Sequence, residues 1–346
     1  MSKYSKVKEV KVLGIDLAKD VFHLHGVDGS GRVVLRKRLR RREVMGWMEN
    51  LPPCLVGMEA CSGAHYWARK FRAMGHEVRL MSPQFVKPYV KSNKNDAADA
   101  EAICEAVQRP NMRFVSVKSV EQQDIQSLHR ARDMAIGHRT ALINQIRGLM
   151  HEYGVVVGRG SAQLRTALPG FLEDADNGLS PMFRELLHGL HRELLHLDER
   201  IADYDARIAE LARQSEACQR LMSIPGIGPL AATALVAAVG DGKAFRNGRE
   251  MAASLGLTPR QHSTGGKTRL LGISKRGDAY LRKLLIHGAR AVLRFASRKQ
   301  DRRSRWIAAL MERKHVNVAA VALANKNART AWALLTRGEM HNAAVA

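Results

Sequence analysis

The sequence predicts an α/β domain built on one mixed sheet, followed by a largely helical remainder. Two observations carry that prediction. From Val10 to about Val90 the apolar residues switch between a period of two and a helical period, the pattern of strands alternating with helices. From Glu121 to about Tyr153 strand signals are absent, and after Cys218 helical stretches are separated by Gly/Pro-bearing loops.

Taken in order, VKVLGID, VFHLHGVD and RVVLRKRL read as three consecutive strands, with Asp28-Gly29-Ser30-Gly31 as the hairpin turn between the last two. A helix from Glu43 to Asn50 leads to a buried strand, CLVGMEA. An amphipathic helix from Ala64 to Met74, the strand EVRLMS, a short helix after Pro83 and a helix beginning near Asp96 complete the pattern. The order βββαβαβα is that of an RNase H-like domain, one mixed sheet with helices on its faces, ending near Arg109-Pro110.

Beyond it, Glu121 to about Tyr153 reads as one long basic helix carrying Arg130, Arg132, His138, Arg139 and Arg147 off its apolar face. GVVVGRGS and LPGF read as a Gly-rich break. The next helix places Phe183, Leu187, Leu190, Leu194, Leu197, Ile201, Tyr204, Ile208 and Leu211 at alternating spacings of four and three. That heptad argues for a coiled coil and hence for a homodimer or homotetramer. The expected division is 1–112 for the α/β domain, 113–217 for a helical oligomerisation and nucleic-acid-binding region, and 218–346 for a mostly α-helical C-terminal domain with a basic tail beyond Arg290.

Composition narrows the function. The chain has 346 residues and is 45% hydrophobic, enough for two or three domains with real cores. Lys and Arg number 56 against 33 Asp and Glu, a formal charge of +23 that calls for a polyanionic partner. No apolar run suits a spanning helix, and MSKYSKVKEV lacks a signal-peptide core, so nucleic acid is expected rather than membrane, in the cytoplasm. The four cysteines show neither zinc-ligand nor disulfide spacing. At 5% aromatic content, backbone phosphate contacts fit better than base stacking.

Asp16 ends the strand VLGID and Glu59 ends LVGMEA, so neighbouring strands would bring both carboxylates to one edge of the sheet. Asp96 and Asp99, in NKNDAADAEAI, share one helical face at i, i+3, with Asn95 or Ser92 as candidate caps. Singly, each acid reads as a turn residue or a helix-dipole partner. Together, four hard oxygen ligands repel one another unless a divalent cation lies between them, and one or two Mg²⁺ ions suit phosphodiester chemistry.

GIDLAK, GMEACSG, NKNDAADA, SIPGIGP and GLTPRQHSTGGKTRLLGISKRGDAYLR together resemble the DEDD-type insertion-sequence transposases related to the Piv invertase, some of which are guided by a bridge or seeker RNA. The resemblance covers nearly the whole chain. It implies a RuvC-like domain in which Asp16, Glu59, Asp96 and Asp99 hold the metal, and a C-terminal serine that attacks DNA to leave a phosphoserine link. Some members place that serine directly before the loop glycine, where this chain has Thr264, and Ser263 stands one residue earlier. Ser263, a less hindered primary hydroxyl, is the expected nucleophile and Thr264 its rival. Arg260, Lys267, Lys275 and Arg276 are expected to hold the phosphate. The implied activity is excision and insertion of a DNA element through a hydroxyl-linked intermediate, with DNA and a guide RNA as partners. The acids alone fit equally a junction endonuclease acting by hydrolysis, and a binding protein with vestigial acids is the non-enzymatic reading.

Further nucleic-acid contacts are expected from Arg36, Lys37, Arg38, Arg40, Arg41 and Arg42, a dense cluster at a strand-to-helix junction. Ile224-Pro225-Gly226-Ile227-Gly228 before a small-residue helix looks like a helix-hairpin-helix whose Gly226 and Gly228 amides meet a phosphate, or else a tight interhelical turn.

Overall fold

The apolar and β-branched runs in VLGID, VFHLHGV and VVLRKRLR form the strands β1 (Val12–Asp16), β2 (Val21–Val27) and β3 (Val33–Arg40), in a computed structural model that describes residues 9–91 and 95–341. The chain divides into two compact units, residues 1–121 and 122–346. The candidate cap Ser92 lies outside the described residues.

In the first unit follow α1 (Val44–Glu49), β4 (Leu55–Glu59), α2 (Ala64–Ala73), β5 (Glu77–Met81), α3 (Pro83–Val86), α4 (Asp96–Val107) and β6 (Phe114–Val115). The sheet order is β3-β2-β1-β4-β5-β6. β4 runs parallel to β1 and to β5, while β2, β3 and β6 are antiparallel to their neighbours, giving the expected mixed RNase H-like sheet. The hairpin between β2 and β3 closes as expected: Asp28 Oδ1 accepts from the Ser30 amide at 2.8 Å and from the Arg32 amide at 3.0 Å. The two-residue β6 was not foreseen, being too short to show a period.

One face of the sheet buries Leu13, Ile15, Phe22, Leu24, Val56 and Met58 against Trp67, Phe71 and Met48 from α1 and α2. The other face carries α4, and it is built for close approach. A Cβ on Gly14 of β1 would stand 2.3 Å from the Ala100 carbonyl oxygen, and one on Gly57 of β4 would stand 2.8 Å from Val107 Cβ. Two strand glycines and the alanines of DAADAEAICEAV thus let this helix lie directly on β1 and β4.

In the second unit the helices are α5 (Val120–His151, which begins at the boundary), α6 (Ser161–Glu173), α7 (Pro181–Gln214), α8 (Glu216–Met222), α9 (Pro229–Val239) and α10 (Gly248–Ser254). A hairpin of β7 (Pro259–Gln261) and β8 (Leu270–Ile273) precedes α11 (Ala279–Leu293), α12 (Arg302–Arg313) and α13 (Val316–Arg337). Three segments of this unit bear on the sequence expectations. Leu168-Pro169-Gly170-Phe171 is part of α6 rather than a break, because Leu164, Leu168 and Leu172 bury one apolar edge that outweighs the hydrogen bond lost at Pro169. The heptad side chains Phe183, Leu187, Leu194, Leu197 and Ile201 pack with Ile143, Ile146 and Met150 of α5 and the leucines of α6. Intramolecular burial therefore accounts for these five heptad positions. The basic stretch beyond Arg290 is divided between two helices: α11 ends at Leu293 and α12 begins at Arg302, where the Asp301 side chain accepts from the Ser304 amide as the cap. The chain beyond is no solvated tail, since Ala320, Leu323, Ala324, Ala328 and Ala331 of α13 are buried in the C-terminal core.

Three helices of this unit are tied through a buried histidine. Thr233 Oγ1 of α9 donates to the Pro229 carbonyl at 2.7 Å, so it accepts from His129 Nε2, 2.9 Å away on α5. His129 Nδ1 then accepts from the Tyr280 hydroxyl of α11 at 2.9 Å. The ring must be neutral to do both, and burial holds its pKa down at about 4. A folded pKa below the unfolded value of 6.5 means that the unfolded chain binds the proton first. This stabilisation is complete above pH 6.5 and is lost as pH falls towards 4. It amounts to roughly 3 kcal/mol at most. His129→Gln keeps one donor and one acceptor in the side chain and removes the titration. Its urea-unfolding free energy should fall less between pH 7 and pH 4.5 than that of the wild type, and equal slopes would refute the assignment.

Candidate active site

β1 and β4 are parallel with Ile15 opposite Met58, so Asp16 and Glu59, one residue further on, leave the sheet at the same edge. α4 brings the other acids over that edge. Its first turn is capped by Asn95, whose side chain accepts from the Ala98 amide at 2.8 Å, as one of the two cap candidates required. Carboxylate oxygens of Asp16, Asp96 and Asp99 lie within 4.8 Å of one another. Asp96 is exposed, and Asp16 and Asp99 are half-buried. Glu59 stands at the strand end beside them but is not one of this group of three. Three hard oxygen donors converging from a strand end and one helical face are consistent with a divalent-cation site.

The strand register adds His23, which sequence reasoning missed, and brings Arg38 into line with the acids. His23 of β2 is the direct partner of Asp16, and Arg38 of β3 is the direct partner of His23. The edge thus carries one transverse row, Arg38, His23, Asp16 and Glu59, on the face that α4 covers. His23 Nδ1 is 3.6 Å from Asp96 Oδ2. His25, two residues on, is buried on the same face, and burial lowers its pKa. Only the pairing register reveals the row, because the four residues are far apart in sequence. Cys61, just after β4, is a half-buried thiol whose pKa is raised by burial and then by the Glu59 carboxylate.

The expected phosphate-binding residues have separate fates. Arg36 pairs with His25 across the strands, and Arg38 with His23, so both face α4, whereas Lys37 lies on the opposite face over the Trp47 ring at 5.4 Å. Arg41 stacks on Trp67 at 5.2 Å. Arg40 and Arg42 are exposed. On α5, Arg132 pairs with Asp205, and Arg139 pairs with Asp198, which Arg165 also holds. Arg147 donates to the carbonyls of Gly158 and Gly160. Arg130 is exposed and lines a cavity of about 560 Å³ with His129, Met134, Ala238 and Tyr280.

The loop holding Ser263 and Thr264 is a β-hairpin. Gly265 and Gly266 have φ of +55° and +76°, and Thr264 and Lys267 form the closing bridge. Two consecutive positive φ values explain the Gly-Gly pair as a type I′ turn. Ser263 Oγ accepts from Gln261 Nε2 at 2.9 Å and from the Arg269 amide at 3.3 Å, and the whole turn is exposed. Arg260 and Lys267 lie on the same exposed hairpin. Lys275 has φ of +55°, a strained value for a residue with a Cβ, and its amide bonds to the Gly256 carbonyl at 3.2 Å. Arg276 is exposed beside it.

The stretch from Ile224 to Gly228 is a tight turn between α8 and α9. Gly226 is required by packing: its φ is +92°, and a Cβ there would stand 2.8 Å from the Gly288 carbonyl of α11. Gly228 is exposed at the N-terminus of α9. Among the described residues, no helix is long and apolar enough to cross a membrane.

Comparison with known proteins agrees with this architecture. Residues 13–155 match a family model for DEDD transposases of the IS110 type, and residues 218–305 match the transposase IS116/IS110/IS902 family. The chain is 54% identical over 326 residues to a probable family 20 transposase of Pseudomonas aeruginosa, covering 94% of this chain and 96% of that one. It is 51% identical over 335 residues to the transposase for insertion sequence element IS1111A of Coxiella burnetii, covering 97% and 92%. It is 43% identical over 331 residues to the transposase for insertion sequence element IS1328 of Yersinia enterocolitica, covering 95% and 98%. With a mixed-sheet unit that gathers three carboxylates and a helical C-terminal region, the chain belongs to the IS110/IS116/IS902 family of transposases, enzymes that cleave DNA.

Proposed function

We propose that this transposase excises and inserts its own element by cutting and exchanging strands through a covalent hydroxyl-linked DNA intermediate, with Ser263 as the nucleophile. The observation that carries the serine is its setting: Ser263 Oγ accepts two hydrogen bonds, which orient the hydroxyl and leave its own proton free to be given up. In the step itself, Ser263 Oγ bonds to the scissile phosphorus, the P–O bond to the departing DNA hydroxyl breaks, and the serine proton passes to solvent or a base. The phosphodiester becomes a phosphoserine ester of similar energy, so the reverse attack by a new DNA hydroxyl rejoins a strand without an energy source. Arg260, Lys267, Lys275 and Arg276, cationic and close in sequence to Ser263, suit the non-bridging phosphate oxygens.

Asp16, Asp96 and Asp99, with Glu59 as the fourth ligand, hold Mg²⁺ in this reading. A bound Mg²⁺ would supply charge neutralisation at a phosphate and a lowered pKa for a coordinated hydroxyl. The excess of cations supports binding of a guide RNA as well as DNA.

The test is to incubate the protein with Mg²⁺, its co-purifying RNA and labelled element-end DNA, then to look for a protease-sensitive protein–DNA adduct. We expect the adduct in wild type and Thr264→Ala and its loss in Ser263→Ala. Loss only in Thr264→Ala transfers the role to that hydroxyl, and cut ends with no adduct in wild type would establish hydrolysis by water instead. Sequencing of the co-purifying RNA tests the guide: a discrete species encoded beside the element supports it, and a random mixture of cellular RNA refutes it.

A further inference from the structure

We infer that one face of the edge strand β3 is a phosphate-binding rail for the DNA strand that is cut, with Arg38 as its residue nearest the acids. This inference rests on the reading that Asp16, Asp96 and Asp99 act on a DNA phosphodiester.

Four of the six clustered cations, Arg36, Lys37, Arg38 and Arg40, lie on β3 and are divided by the strand's own geometry. Successive side chains of a strand point to opposite faces. Register places Arg36 opposite His25, Arg38 opposite His23 and Arg40 opposite Val21, whereas Lys37 is opposite Leu24 and Leu39 opposite Phe22. Leu24, Phe22 and Leu39 belong to the core under α1 and α2, so the face with Lys37 is the wrong side of the sheet for the acids. Lys37 and Arg41 are moreover engaged with aromatic rings, at 5.4 Å from Trp47 and 5.2 Å from Trp67. Arg36, Arg38 and Arg40 remain on the acid side, all exposed.

Their spacing suits a polyanion. Same-face residues of a strand are about 6.7 Å apart, so the rail presents a regular row of guanidinium groups to a sugar-phosphate backbone. Arg38 lies two strands from Asp16 along the row through His23, a separation of about 9.6 Å at the usual inter-strand spacing. An arginine side chain extended along that row reaches a phosphate next to one held at the carboxylates, with His23 lying between them. Arg36 is partly held by Glu101, 3.9 Å away, which makes Arg38 and Arg40 the principal contacts. Charges on an exposed edge strand also discourage pairing with another chain, but that role does not distinguish one face from the other.

The experiment measures binding of the full-length protein to a fluorescent duplex spanning the element end, as a function of KCl, in Ca²⁺ so that cutting does not intervene. Arg38→Ala and Arg40→Ala should each lower the slope of log K against log[KCl] by about 0.9, and Lys37→Ala should leave it unchanged. Arg38→Lys should restore the slope, and thermal melts of all variants check the fold. Equal slopes for Lys37→Ala and Arg38→Ala, or an unchanged slope for Arg38→Ala, overturn the inference. A change confined to a single-stranded RNA probe overturns it in favour of RNA. Because the readout is binding, the rail survives if Ser263 forms no adduct, and it fails independently of that result.

Discussion

Asp99→Asn should lower DNA cleavage by on the order of 10³-fold, about 4 kcal/mol of barrier, while leaving affinity for element-end DNA within about twofold. The argument is electrostatic. Asp16, Asp96 and Asp99 bring oxygens within 4.8 Å of one another, and two unit charges at that distance repel by about 1 kcal/mol even at the dielectric of water. A fold that holds three of them together bears that cost in the absence of a cation and recovers it when one binds. The substitution should therefore have two opposite effects. Without a divalent ion, Asp99→Asn melts at the same or a slightly higher temperature than wild type, because one repelling charge is gone. With Mg²⁺ in the millimolar range, the wild type gains stability by mass action and the variant gains little. Asp96→Asn should behave alike in both respects. A variant that keeps the wild-type Mg²⁺-dependent rise in melting temperature would show that the cation lies elsewhere, whatever happened to cleavage.

Much of this site could be read from the order of residues, because strand ends and helix starts are marked locally. Asp16 and Glu59 follow apolar runs, Asp96 and Asp99 follow a capping Asn95, and the βββαβαβα order places strands β1 and β4 side by side. What stayed hidden depends on register or on long-range contact. His23 and Arg38 join the row only because β2 and β3 pair antiparallel in one register, and a slip of one residue would have sent both to the other face. The basic arginines of α5 look alike in sequence. Asp198 and Asp205, some sixty to seventy residues away, commit Arg139 and Arg132 to ion pairs, and Arg130 is left exposed. The heptad of α7 is genuine as a periodicity, but a period records that a face is buried and not which chain buries it. The hairpin β7–β8 escaped notice because all three residues of β7 are exposed and the strand has no buried side to mark it.

Gly14→Ala should be nearly as damaging as loss of an acid, although Gly14 has no side chain to offer a metal or DNA. Its added methyl would stand 2.3 Å from the Ala100 carbonyl oxygen, 2.5 Å from the Cys104 amide nitrogen and 2.7 Å from Cys104 Cβ. Two of these are backbone atoms of α4 that no rotamer change can move aside. The helix must instead shift outward by an ångström or so, and it carries Asp96 and Asp99 in its first turn with Ala100 directly after them. Overpacking of this kind costs roughly 1–3 kcal/mol of stability, and an ångström of misplacement at a reacting centre costs on the order of 10²-fold in rate. The expected result is a folded protein with a lower urea midpoint, weaker Mg²⁺ stabilisation and cleavage reduced about 10²-fold. A second substitution separates misplacement from simple destabilisation. Gly46→Ala lies in α1, where a Cβ meets nothing within 4 Å, and it should leave both cleavage and the Mg²⁺ response at wild-type levels. If Gly14→Ala cleaves and binds Mg²⁺ as the wild type does, then the contact between α4 and β1 does not set the positions of the acids, and the geometry of the site must be held from elsewhere.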